Sequence, residues 1–262
     1  MKTCSAIVSA TMLAAVSSAS AAIVASDNGS NYGSGWTNGS NGGTGFGAWE
    51  MTQFGGGFKG NFIGNPANIG VIGMGSSAFG LYANGSPGSL GTPGIYATRA
   101  FNGALGIGDS FSMQWGINWD GGNGGFKGIW LYSGSGPYTN ANVALQVLNG
   151  ANSDITVNSY ADYSNANTGF GYGTNAMTWT FTQTTATTVT VTANDRDGSG
   201  SYTGTFAVSG LLSGFGIFAQ GMSDASGNRE PYYNNFTINA VPAPGALALL
   251  GVAGLVGSRR RR

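Results

Sequence analysis

Between Ser110 and Trp119 the residues Phe111, Met113, Trp115, Ile117 and Trp119 alternate with Ser112, Gln114, Gly116 and Asn118. Side chains of a strand point to opposite faces in turn, so a period of two buries one whole face only if the segment is β. A helix would scatter the same residues around its circumference. The pattern recurs along the chain. Val143, Leu145 and Val147 alternate within Asn142 to Leu148, and Ile155 and Val157 begin a short strand. Met177, Trp179 and Phe181 alternate with threonines, as do Val189 and Val191. Ala48 to Phe54, Phe126 to Tyr132, Ser201 to Val208, Phe215 to Ala219 and Tyr232 to Ile238 read as further strands. Asp120 to Gly125 (DGGNGG) is a turn that predicts a hairpin between its two flanking strands, and Asn194 to Gly200 (NDRDGSG) is a second turn. No segment between residues 22 and 240 has a helical period. Roughly ten to thirteen short strands between Gly/Asn turns predict an all-β jelly-roll or β-sandwich of two antiparallel sheets.

The two ends are patterned differently. Lys2 is followed by an apolar stretch from Ala6 to Val16 and by Ala19-Ser20-Ala21. A basic start, a short apolar run and small residues in an A-x-A pattern make a secretory signal peptide over residues 1–21, cleaved after Ala21 or Ala22. The apolar run is too short to span a bilayer core of ~30 Å as a helix. Cys4, the single cysteine, precedes that run, whereas a lipid-anchored cysteine would follow it.

At the other end Val241-Pro242-Ala243-Pro244 leads into thirteen residues of Gly, Ala, Leu and Val (Gly245 to Gly257), then Ser258 and Arg259 to Arg262. As a helix, Ala240 to Ser258 would reach about 28 Å, just enough to cross a membrane transiently. The arginines would remain on the cytoplasmic side. Residues 241–262 resemble the PEP-CTERM sorting signal of Gram-negative bacteria. The resemblance rests on Pro242, Pro244, the apolar run and Arg259, Arg260, Arg261 and Arg262; Ala243 stands where the family has glutamate. It implies export across the inner membrane, cleavage by signal peptidase, and recognition of the tail by exosortase, a membrane transpeptidase. The processed protein would reside at the cell surface or outside the cell. A plain C-terminal membrane anchor is the alternative, in which the arginines are retained.

The part between, residues 22–240, suits one large β-domain. Charged residues are 8% of the whole chain, against about 25% for ordinary domains. Within residues 22–240 stand five cations (Lys59, Arg99, Lys127, Arg196, Arg229) and ten acidic residues, a net charge near −5. The cations are scattered, so there is no electrostatic footprint for nucleic acid. No histidine is present anywhere. That removes serine triads and histidine-dependent zinc sites. Only two glutamates occur, Glu50 and Glu230, and neither lies in the E-x-D-x-x-E spacing that places paired carboxylates on one strand of a glucanase. Asp109, Asp120, Asp195 and Asp197 flank turns, where aspartate serves the backbone. Asp195 and Asp197 are a weak calcium candidate, because two carboxylates without a later bidentate glutamate fall short of six to eight oxygen ligands. No cofactor is implied. Asn28, Asn38 and Asn84 each precede Gly-Ser and read as turn residues.

Asp27 to Gly47 is rich in Gly, Asn and Ser, with Tyr32, Trp36 and Phe46 set among them. The aromatics predict an ordered, loop-rich opening segment. The chain between the two signals is similar to concanavalin A-like jelly-roll domains of exported proteins with such tails, carried by Gly35 to Trp49 (GWTNGSNGGTGFGAW), Asp109 to Gly122 (DSFSMQWGINWDGG) and Tyr232 to Ile238 (YYNNFTI). Trp115, Trp179 and Phe181 are expected in the core. Trp119, Asp120 and Asn123, with Trp130, Tyr132 and Tyr138, are the candidate glycan platform, since sugars stack on aromatic faces while amides and carboxylates bond their hydroxyls; the alternative is that Trp119, Trp130 and Tyr138 fill the core or a structured loop. The expectation is a non-enzymatic, exported surface or matrix protein, structural or adhesive in exopolysaccharide or biofilm. A lectin-like carbohydrate-binding protein is the alternative, and an unusual glycoside hydrolase a third.

Overall fold

The structure is a computed structural model that describes residues 21–33, 35–85, 92–118, 125–136, 139–150, 154–171, 173–194, 200–222 and 230–242. Fifteen strands are found among them. The first five are β1 (Ala22–Asp27), β2 (Glu50–Phe54), β3 (Phe58–Gly64), β4 (Ala78–Asn84) and β5 (Gly94–Ala100). Then follow β6 (Ser110–Ile117), β7 (Phe126–Ser133), β8 (Val143–Asn149), β9 (Thr156–Ser159) and β10 (Asn165–Asn167). The last are β11 (Gly173–Thr185), β12 (Thr188–Asn194), β13 (Ser201–Ala207), β14 (Leu212–Gln220) and β15 (Tyr232–Ala240).

An eight-stranded sheet runs β13-β12-β11-β6-β15-β4-β3, with β1 added beside β15. A seven-stranded sheet runs β10-β9-β8-β7-β14-β5-β2. Strand pairs in both are antiparallel. This is the all-β sandwich that the alternation predicts. Residues Ala22–Ala240 make one compact unit. Of the remainder, Met1–Ala21 and Val241–Arg262, only Ala21, Val241 and Pro242 are described. Among the described residues no helix is long and apolar enough to cross a membrane.

The core lies between the sheets and is aromatic. Phe111, Trp115, Trp179, Phe181, Phe215, Tyr233 and Phe236 are fully buried. Phe111 lies 4.7 Å from Phe215, centroid to centroid, and Phe215 lies 4.8 Å from Phe236. Burying each such ring contributes about 1.5–3 kcal/mol. The hydroxyl of Tyr233, from the eight-stranded sheet, reaches the carbonyls of Gly128 (3.1 Å) and Phe218 (3.0 Å) in the seven-stranded one. A polar contact thus pins the two layers within an apolar interior.

The predicted hairpin around DGGNGG is not formed. β6 belongs to the eight-stranded sheet and β7 to the seven-stranded one, so their connection crosses between layers. Turn residues satisfy the backbone equally in a hairpin and in a crossover, and only strand pairing separates the two. β12 and β13, which flank NDRDGSG, do pair, with Asn194 opposite Ser201.

The opening segment is held by a buried charge. Arg99 of β5, one of the five scattered cations between residues 22 and 240, is fully buried and paired with Asp27 of β1. Its Nε donates to the Gly47 carbonyl at 2.5 Å, and Nη2 donates to Asn41 Oδ1 at 2.5 Å and to the Gly42 carbonyl at 2.9 Å. The guanidinium lies 5.2 Å from the ring centroids of Phe46 and Trp49. Asp27 also accepts from Asn28 N (2.9 Å), Asn31 Nδ2 (2.7 Å) and the Tyr32 hydroxyl (2.6 Å). Burial, then the bond to Asp27, pushes the Tyr32 phenol up to about 12. Gly43 is required beside this hub: its φ is +73°, and a Cβ there would meet the Ser26 carbonyl at 2.3 Å.

Candidate functional site

Alternation places a second set of side chains on the outer face of the seven-stranded sheet. In β7, Ile129 and Leu131 face the core while Trp130 faces outward. The register aligns Trp130 with Gln146 on one side and Gly216 on the other. The row continues through Asn158 to Asn165, and in the other direction through Thr98 to Glu50. One transverse line therefore carries three amides, an indole, a glycine, a threonine and a carboxylate.

Aromatic rings extend this line along the strands. Trp130 stacks on Phe218 at 4.5 Å and 19°, and lies 5.5 Å from Tyr96, which lies 6.1 Å from Phe54. Glycines make the floor low enough for the rings to lie on it. A Cβ on Gly94 would sit 2.1 Å from the Phe54 ring. Trp130 and Tyr96 are half-buried, and Phe54 and Phe126 are 38% and 49% exposed. The amides on one flank are joined: Asn165 donates to Asn158, and Asn158 donates to Gln146 at 3.4 Å. On the opposite flank a groove of about 500 Å³ is lined by Gly47, Ala48, Glu50, Thr98, Arg99, Ala100 and Gly136, the Arg99 side chain being buried in its pair with Asp27. Glu50 is its single carboxylate side chain.

Of the glycan candidates named from the sequence, Trp130 stands on this face. Tyr132 is on the same face but fully buried, packed with Val143, Ala100 and Trp130, so its ring is no platform. The position follows from strand parity, which the sequence shows, and its covering from packing, which the sequence does not. Trp119, Asp120, Asn123 and Tyr138 lie outside the described residues, as do the calcium candidates Asp195 and Asp197. Among the described residues no group of three His, Cys, Asp or Glu could hold a metal ion. Ala22 opens β1 directly after Ala21, and Pro242 is exposed two residues beyond β15. Ala243, Pro244 and Arg259 to Arg262 lie outside the described residues. Tyr96, Phe54, Phe218 and the Gln146–Asn158–Asn165 amides were not legible as site residues. Only the pairing of strands far apart in sequence assembles them.

Of the three turn asparagines, Asn28 has the local role expected of it, its Oδ1 accepting from Ser30 N at 3.0 Å. Asn38 stands in a turn, but its Oδ1 accepts from Met51 N of β2 at 2.8 Å, thirteen positions away, and Asn84 is the last residue of β4.

No protein family and no curated protein matches the chain. Among solved structures it is similar to the VIP36 exoplasmic/lumenal domain in its Ca2+-bound form, at 10% identity and a TM-score of 0.43, covering 74% of this chain and 84% of that one. It is similar to the Emp47p carbohydrate recognition domain, at 14% identity and a TM-score of 0.40, covering 74% and 89%. It is also similar to a legume lectin-like domain from Entamoeba histolytica, at 10% identity and a TM-score of 0.44, covering 73% and 90%.

Proposed function

We propose that this chain is an exported, non-catalytic surface or matrix protein that binds an uncharged carbohydrate polymer across the outer face of its seven-stranded sheet. The observation that carries the reading is the Phe54–Tyr96–Trp130 string of rings flanked by the Gln146–Asn158–Asn165 amides. Rings offer apolar faces to the C–H faces of sugars, and amides bond the hydroxyls at their rims. Among the described residues the strands of this face carry one carboxylate, Glu50, with Asp154 bonded to Asn167 at one edge, and no exposed cation, which suits a neutral polymer better than an anionic one. Hydrolysis canonically needs two carboxyl groups facing one bond, and the groove presents Glu50 alone. Binding would give the protein an adhesive role in an extracellular polysaccharide.

The test is binding of the purified chain to immobilised neutral polysaccharides, with a glycan array to define the sugar. Trp130→Ala and Tyr96→Ala should each weaken retention, measured well below the melting temperature of each variant. Wild-type retention in both variants would remove the reading, and release of reducing sugar would overturn its non-catalytic part.

Export through an N-terminal signal peptide and a PEP-CTERM-like tail belongs to the same proposal. It is supported by the sandwich beginning at Ala22 and ending at Ala240, two residues paired with each other on neighbouring strands. Intact-mass measurement of the native protein should find a chain that starts at Ala22 or Ile23 and lacks the four arginines. A stable inner-membrane form ending at Arg262 would instead mark a permanent anchor.

A further inference from the structure

The outer face of the eight-stranded sheet has a different chemistry. β11 carries Thr178, Thr180 and Thr182 outward, β12 carries Thr188, Thr190 and Thr192, and β13 carries Thr203 and Thr205. Register aligns them. Thr203, Thr192 and Thr180 form one row, which continues through Ser112, Thr237 and Ser26. Thr205, Thr190 and Thr182 form the next, which continues through Ser110 and Asn239. All of these residues are exposed or half-buried. Cross-strand hydroxyl contacts tie the field together, Ser112 to Thr180 at 2.8 Å and Thr190 to Thr205 at 3.2 Å.

The rows hold no charge, so a charged partner finds nothing to pair with. They hold no aromatic ring, so a sugar chain finds nothing to stack on. They hold no large apolar centre of the kind protein interfaces use. What they hold is two-dimensional repetition of a hydroxyl beside a methyl. Strands repeat at about 4.8 Å, and alternate residues along a strand at about 6.8 Å. These spacings lie near the oxygen repeats of hexagonal ice. Threonine is stiff at χ1, so its hydroxyl and methyl are already placed before any contact. Sheet twist of about 20–25° per strand limits a flat contact to a few neighbours, which are β11, β12 and β13 with their eight threonines.

We propose that this threonine field binds the surface of ice, independently of the glycan face on the other side of the sandwich. The test uses the full-length chain in detergent, with detergent alone and a non-binding protein of similar size as controls. Wild-type protein should be taken up into a slowly growing ice hemisphere and should restrain recrystallisation of a frozen film. Thr180→Lys and Thr192→Lys, each placing a long charged side chain in the field, should reduce both effects to the control level. Thr205→Lys, near the sheet edge, serves where a central variant melts early. Trp130→Ala should keep both effects. Wild-type uptake no greater than that of the control protein overturns the proposal. So does wild-type uptake by lysine variants that melt as the wild type does.

Discussion

At the scale of single residues, the strongest constraint is the pair Asp27 and Arg99, buried and 72 positions apart. Removing one member of a buried ion pair leaves the other without compensation, at a cost of about 3–5 kcal/mol. Arg99→Met should therefore lower the urea midpoint strongly, and Asp27→Asn should do so as well. The double variant should lose less than the two losses added, because the pair acts as a unit. Equilibrium unfolding of the three variants checks this. Nothing local announces the pair: Arg99 sits in GIYATRA and Asp27 in AIVASD, two ordinary strand sequences. A second residue-scale expectation concerns Glu230. Burial raises its carboxyl to about 7 from an ordinary 4.5. The folded chain then holds this proton more tightly than the unfolded chain. The associated stability is complete below about pH 4.5 and is lost as pH rises through about 7. The melting temperature should fall across that window, and Glu230→Gln should flatten the fall. An identical pH dependence in the variant would assign it to other groups.

At the scale of elements, legibility depended on how many faces a strand buries. β6, β8, β11 and β12 bury one face on the core, and their alternation is plain in the sequence. β4 and β5 are covered on both sides, with five of seven residues buried in β4 and the same in β5. Burial on both faces erases the alternation that would have marked them. Glycines add to the difficulty, because rings from neighbouring strands fill the places where their side chains would stand. A Cβ on Gly80 would meet the Phe62 ring at 2.2 Å, whereas one on Gly128 would meet the Val147 carbonyl oxygen at 2.0 Å. A half-buried ring can swing aside and a ladder carbonyl cannot. Gly128→Ala should therefore cost more than Gly80→Ala, beyond the usual overpacking range of about 1–3 kcal/mol. Thermal melts of the two variants compare them directly, and equal losses would show that the Val147 backbone gives way as readily as the Phe62 side chain.

At the scale of the whole molecule, two sheets of unlike outer chemistry share one aromatic interior. Tyr233 ties them through its hydroxyl, so Tyr233→Phe should cost about 0.5–1.5 kcal/mol, the net worth of an ordinary hydrogen bond. A loss within error, measured by urea unfolding, would mean that ring packing alone holds the layers. Period-two patterning, Gly/Asn turns and the apolar ends are local properties, and from them the sequence by itself determined an all-β sandwich with distinct terminal segments. It also determined the parity of each legible strand, and hence that Trp115 faces inward with Met113 and Ile117 and that Trp130 shares a face with Tyr132, whereas which face of β7 turns outward was decided by the tertiary structure. Tertiary structure alone decided that β6 and β7 part company between the sheets and that Tyr132 is covered. It alone decided that Tyr96, Trp130 and Asn158 share one face, and that threonines from three strands fall into rows. The physical reason is that facing is set by neighbours along the chain. Adjacency is set by hydrogen-bonded register between strands that can lie more than a hundred residues apart, such as β5 and β14.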